Sequence, residues 1–146
     1  MASIHWGSNW GYDIRPEQRE FAHKLIDHAC VDVIHGHSSH HVKGIEVHNE
    51  RPIIYGSGDF LNDYEGISGY ENFRDDLALM YFVSVDPSTG KLVRLHMMPI
   101  QIKHFRANQA SRVDALWLRD VLNKEGKKFG TRVEMNQNNM LTLKWD

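Results

Sequence analysis

The chain has 146 residues, 41% of them hydrophobic, which suits one compact domain with a single core. With 17 basic and 19 acidic side chains, a formal charge of −2 and no basic stripe, it lacks the footprint of a duplex nucleic-acid binder. No run of 18 apolar residues and no basic-then-apolar leader is present, and the only cysteine, Cys30, excludes an internal disulfide and favours a reducing, cytoplasmic setting.

Residues 3–5 read as a short strand running into the Gly/Asn/Trp-rich loop 6–12. Pro16 suits a first helical turn, Glu17 and Glu20 suit the positive end of the dipole, and Phe21, Ala22, Leu25, Ile26 and Ala29 recur at helical spacing. The pattern predicts an amphipathic helix over 16–29. Residues 31–34 follow as a strand, giving a βαβ order whose loops emerge at the C-terminal edge of the sheet. Cys30, between helix and apolar strand, reads as a buried thiol.

Residues 44–47 and 53–55 read as strands joined through Asn49, with 56–69 a long loop. Residues 77–85 and 92–102 flank Asp86-Pro87-Ser88-Thr89-Gly90, a hairpin signal. Ser111 reads as the cap of a helix reaching Glu125, with Val113, Leu116, Trp117 and Val121 on one side and Gly126 as its stop. Residues 131–135 and 140–145 close the chain as a second hairpin. The expected fold class is α/β, a βαβ start followed by mostly antiparallel strands and one further helix.

Histidine is over-used. Four of the ten histidines, His35, His37, His40 and His41, fall within seven residues, where Gly36 lets the backbone bend and Ser38 and Ser39 leave room for ions. Imidazole suits zinc, iron, nickel and copper, and nearby carboxylates extend the choice to manganese. His5 ends a strand on the same sheet edge, so His5, His37 and His40 are the expected metal ligands, while His35 and His41 can face either way on an extended stretch. Asp59, Asn62 and Asp63 in the later loop could touch the metal or its ligands. Two divalent ions about 3.5–4 Å apart would polarise a phosphoryl oxygen and hold a hydroxide for in-line attack. His23, His28, His48, His96 and His104 read as structural or solvent-facing. Trp6, Trp10 and Tyr12 either wall a substrate or pack, and the charged stretch Asp63, Tyr64, Glu65 with Arg74, Asp75 and Asp76 reads as a solvated loop, with substrate contact as the alternative.

The ordered motifs Ser3-Ile4-His5-Trp6-Gly7, Asp32-Val33-Ile34, Gly36-His37-Ser38-Ser39-His40, Gly44-Ile45-Glu46-Val47 and Ile53-Ile54-Tyr55-Gly56-Ser57-Gly58-Asp59-Phe60 resemble the poly-γ-glutamate capsule biosynthesis (CapA) family. Ser38-Ser39 stands where that family commonly has His-Pro, and Asp59 where it has Asn. The resemblance implies a calcineurin-like metallophosphoesterase fold, a four-layer α/β sandwich with two divalent ions (manganese, iron or zinc). It implies that His5 and His37 bind one ion and His40 the other, with Glu46 and Asp59 shaping the site from behind the ligands.

The family's N-terminal half supplies an aspartate, an Asn/Glu pair and an Asn-Asn-His motif, all absent here. Residues 1–146 therefore read as a single domain equivalent to the C-terminal half of that sandwich, with no catalytic residue identified. The expected function is a metal-dependent hydrolase acting on phosphorylated or polyglutamyl-type substrates, small or polymeric, in capsule formation. The alternative is a non-catalytic metal-binding or assembly module for polymer synthesis or export. Uncovered sheet edges would invite pairing with a second copy or with the absent half.

Overall fold

The computed structural model describes residues 1–62 and 66–146. The first sheet contains β1 (Ala2–His5), β2 (Ile34–His37), β3 (Ile45–His48) and β4 (Arg51–Ile54) in the order β1-β2-β4-β3. β2 runs parallel to both β1 and β4, and β3 is antiparallel to β4. Asn49 and Glu50, with φ of 46° and 60°, make the mirror-image turn that matches strand twist in a tight hairpin.

The crossover from β1 to β2 is α1 (Pro16–Ala29), with Pro16 at its start and Glu17 in its first turn. It ends at Cys30, whose left-handed backbone lets its N–H bond the Leu25 carbonyl. A residue in that position lies beyond the last turn, so Cys30 is exposed rather than buried as expected. The buried stripe is also narrower than the five apolar residues suggested. Ala22 and Ile26 reach Ile34, Ile53 and Tyr55 across the sheet, whereas Phe21 is 50% exposed. The Val31 N–H still bonds the Leu25 carbonyl, so residues 31–33 serve the helix end and β2 starts at Ile34. Pairing with β1 then carries that strand through His35 and His37, which the sequence pattern assigned to a loop.

The second sheet contains β5 (Leu77–Val85), β6 (Leu92–Lys103), β7 (Arg106–Gln109), β8 (Thr131–Met135) and β9 (Leu141–Trp145). Its order is β5-β6-β9-β8, β7 also pairs with β6, and every pair is antiparallel. β7 was not anticipated because its four residues are all exposed and carry no apolar alternation.

Helix α2 (Arg112–Gly126) is capped by Ser111, whose hydroxyl accepts the Asp114 N–H at 3.2 Å. Gly126 is its last residue rather than the stop, and a tight turn over 127–129 continues to Gly130. The buried face is Ala115, Leu118 and Leu122, with Val113 74% exposed, so the helix is rotated from the expected stripe. Leu118 and Leu122 join Ile45 and Ile54 of the first sheet and Leu79, Leu95, Met97 and Leu141 of the second in the larger core.

The first sheet is thus covered by α1 on one face and by the second sheet on the other, an α/β sandwich. Among the described residues no helix is long and apolar enough to cross a membrane. Ile54, 2% exposed, joins the two sheets. Ile54→Ala is expected to cost about 2–5 kcal/mol of unfolding free energy, read from urea denaturation at unchanged m-value.

Candidate functional site

The parallel register places His5 beside His37 and Ser3 beside His35. Alternation along the strands puts these four residues on the face that carries Ile54, toward the second sheet, while Ile34, Gly36 and Ile53 face α1. The rings of His5 and His37 lie edge to face with centroids 5.3 Å apart. His35 sits 5.7 Å from His37, with its Nδ1 3.1 Å from the Ser3 hydroxyl. Burial first, and the neighbouring His37 second, hold the His35 imidazole below its ordinary pKa. His35 also lines a cleft of about 430 Å3 between the sheets, together with Met1, Ile54, Phe60 and Tyr81.

After His37 the chain turns through Ser38, whose φ of 120° a residue with a side chain rarely adopts. The turn is tied to the loop after β1. The Trp6 N–H bonds the His37 carbonyl at 3.0 Å, the His40 N–H bonds the Asn9 carbonyl at 3.1 Å, and the Ser38 hydroxyl donates to Asn9 Oδ1 at 3.2 Å. Beneath that loop lies Lys43, 1% exposed, whose ammonium donates to the Ser8 carbonyl at 3.0 Å. Burial lowers its pKa.

His40 is brought to Asp59, with Nδ1 2.8 Å from a carboxylate oxygen that Asn62 also approaches at 3.4 Å. With Nδ1–H donated to Asp59, the neutral ring carries its lone pair on Nε2, the arrangement in which a carboxylate orients a metal-binding imidazole. Trp10 leans on His40 at 5.2 Å and stacks on Tyr70 at 4.0 Å. Trp6 has a packing role, since its indole N–H is donated to the Tyr55 carbonyl. Burial, then Glu125, pushes the Tyr12 hydroxyl up to about 12. Asp63, with Tyr64 and Glu65, lies outside the described residues.

Two expected contributors sit away from these imidazoles. His41 is fully buried among Trp10, Tyr12 and Phe73 and donates Nδ1–H to the Val42 carbonyl at 2.9 Å. Glu46 shares the α1 face with Ile53, the opposite side of the sheet from His5 and His37. There it accepts from Arg19 at 2.6–3.1 Å and from the Tyr55 hydroxyl at 2.6 Å. It also meets His23 Nε2 at 3.0 Å, so this histidine, expected to be structural or solvent-facing, belongs to a polar cluster. Among the described residues, His23, Glu46 and His48 are the group whose donor atoms all lie within 4.8 Å of one another, whereas His5 pairs with His37 and His40 with Asp59. The signal for the unforeseen group was the spacing: Glu46 and His48 alternate on one strand face.

One sheet edge therefore carries a two-imidazole pair and an imidazole–carboxylate pair, a donor set that fits manganese, iron or zinc. Residues 1–64, which contain both pairs, match the family described as bacterial capsule synthesis protein PGA_cap. The chain is 46% identical over 143 residues to a probable polyglutamine synthesis accessory protein of Mycobacterium tuberculosis, covering 98% of this chain and 37% of that protein. The chain belongs to the capsule synthesis family. It is also 32% identical over 102 residues to the PGA biosynthesis protein CapA of Bacillus subtilis, covering 70% of this chain and 24% of that one. A capsule biosynthesis protein CapA of Bacillus anthracis is 27% identical over 81 residues, which is 56% of this chain and 18% of that protein. The chain spans little more than a third of the length of its mycobacterial relative.

Burial pushes the His41 imidazole down to about 4, outweighing its bond to the Val42 carbonyl. The unfolded chain takes up this proton near pH 6.5 and the folded chain only near 4. The stabilisation from the neutral ring is therefore complete above about 6.5 and is lost as the pH falls toward 4. His41→Phe should keep the aromatic packing and flatten the decline in urea midpoint between pH 7 and pH 4.5. An unchanged slope would assign that decline to other groups.

Proposed function

We propose that this chain supplies the imidazole-rich part of a metal-dependent, phosphoesterase-type site serving capsule polymer formation. His5 and His37 face one divalent ion and His40 the other, with the remaining ligands supplied by sequence outside these 146 residues. The observation that carries this reading is the in-register His5–His37 pair beside the His40–Asp59 pair at one sheet edge. Residues 1–146 act in it as a single domain.

When bound, such ions polarise a phosphoryl oxygen and lower the pKa of a coordinated water. The protein's own part is positional. Asp59 fixes the tautomer and angle of the His40 ring, and Trp10 covers one side of it. Lys43 holds the loop that follows His5 by its grip on Ser8, and the Trp6 indole anchors that loop to Tyr55. Asn62 restrains Asp59. The substrate class is a phosphorylated or polyglutamyl-type chain, anionic in either case.

A second reading is supported by the same geometry. At this edge the donors stand in two pairs rather than in one complete set, and the mycobacterial relative is named an accessory protein. In that reading the domain binds metal and supports polymer assembly without turnover.

Metal content of the purified chain after dialysis against manganese, iron or zinc tests the proposal. His37→Ala and His40→Ala should each lower bound metal, by about tenfold or more in affinity, at unchanged circular dichroism. Metal content unaffected by either change would sink the site. Manganese-dependent release of phosphate from a generic phosphoester, assayed with a longer protein that joins these residues to the remaining ligands, then separates the two readings: turnover supports the hydrolase, and metal binding without turnover supports the module.

A further inference from the structure

The α1 face of the first sheet carries a second constellation, separated from the His5–His37 edge by the sheet itself. Helix α1 presents His23 and Asp27 four residues apart, hence on one side. Strand β3 presents Glu46 and His48 two residues apart, on one face. The two pairs meet across the helix–strand interface. His23 Nε2 lies 3.0 Å from Glu46, His48 Nε2 lies 3.0 Å from Asp27, and the imidazoles stack with centroids 3.7 Å apart and planes within 4°.

We propose that His23, Glu46 and His48, with Asp27 as a fourth donor, form a metal site that takes a zinc-class divalent ion. The donor atoms of the first three already lie within 4.8 Å of one another. A tetrahedral ion with bonds of about 2.0–2.2 Å holds its donors roughly 3.3 Å apart, so the three side chains turn inward to close on it and Asp27 joins from beside His48. The side chains of His23, His48 and Asp27 are 25%, 21% and 32% exposed, which lets an ion enter and the rings turn.

Both carboxylates are held from behind, as metal-binding carboxylates usually are. Arg19 and the Tyr55 hydroxyl fix Glu46, and the Asn49 amide donates to Asp27 at 2.7 Å. The carboxylates of Glu46 and Asp27 supply the negative charge that receives the cation, and the Arg19 guanidinium holds Glu46 in place. Paired imidazoles select zinc, nickel or copper over magnesium and calcium, which prefer all-oxygen shells. The ion would clamp α1 to β3, acting on the fold rather than at the edge where His5 and His37 stand.

The test uses zinc on this chain. In the His5→Ala/His37→Ala/His40→Ala variant, equilibrium dialysis should still find one bound zinc, and adding His23→Asn and His48→Asn should weaken it about tenfold or more. In the unsubstituted chain, zinc should shift or broaden the ring-proton NMR signals of His23 and His48, a readout that needs no variant to fold. Signals of both rings unmoved by saturating zinc, or a folded triple variant that binds none, would overturn the proposal without touching the reading of the other edge.

Discussion

An empty space at Gly36 sets the geometry of the imidazole edge. A methyl group there would lie 2.2 Å from the Trp6 indole nitrogen, 2.6 Å from the Tyr55 carbonyl and 2.7 Å from the Ile54 carbonyl. Because nothing fills that space, Trp6 lies across β2 and donates its N–H to the Tyr55 carbonyl. The Gly36 carbonyl is then met by the Ser57 N–H and the His37 carbonyl by the Trp6 N–H. Three parallel strands are fastened at one end by these contacts, and the fastening holds His5 level with His37.

Everything beyond the strand ends inherits that register. The turn after His37 uses an unfavourable backbone angle at Ser38, a kind of strain worth roughly 1–3 kcal/mol, and is stabilised by its ties to Asn9. The strain lies between His37 and His40, where it swings the second imidazole toward Asp59. A buried lysine beneath the loop is a second local cost, offset by the Ser8 carbonyl that accepts its hydrogen bond. Costs of this kind concentrate where a protein positions groups for chemistry rather than for packing.

The two faces of the first sheet do different work with the same residue type. Toward the second sheet, imidazoles stand at an open edge beside a cleft; toward α1, imidazoles and carboxylates are knit into an interface with Arg19 and Tyr55. In the proposed function the substrate is anionic, yet the chain carries a net charge of −2 and Lys43, beside the imidazole edge, is buried and committed to Ser8. Within that proposal, attraction for such a substrate at that edge would come from metal ions held by the imidazoles rather than from surface charge. The residues matched to the capsule synthesis family contain His5, His37, His40 and Asp59.

The sequence by itself determined what depends on neighbours along the chain. Helix α1 was legible to its ends from Pro16 and the apolar repeat, β5 and β8 from the hairpin turns that follow them, the Ser111 cap from its place before a helical pattern, and the histidine stretch from its density. The motifs of the first 60 residues were enough to indicate the family. Only the tertiary structure decided which side chains share a space, because strand register and helix rotation are fixed by contacts between distant segments. It sent His41 into an aromatic box, put Glu46 on the far face from His37, exposed Cys30, and turned α2 so that Leu118 and Leu122 face the core. It also joined His23 to His48, which are 25 positions apart and meet only because α1 packs on β3.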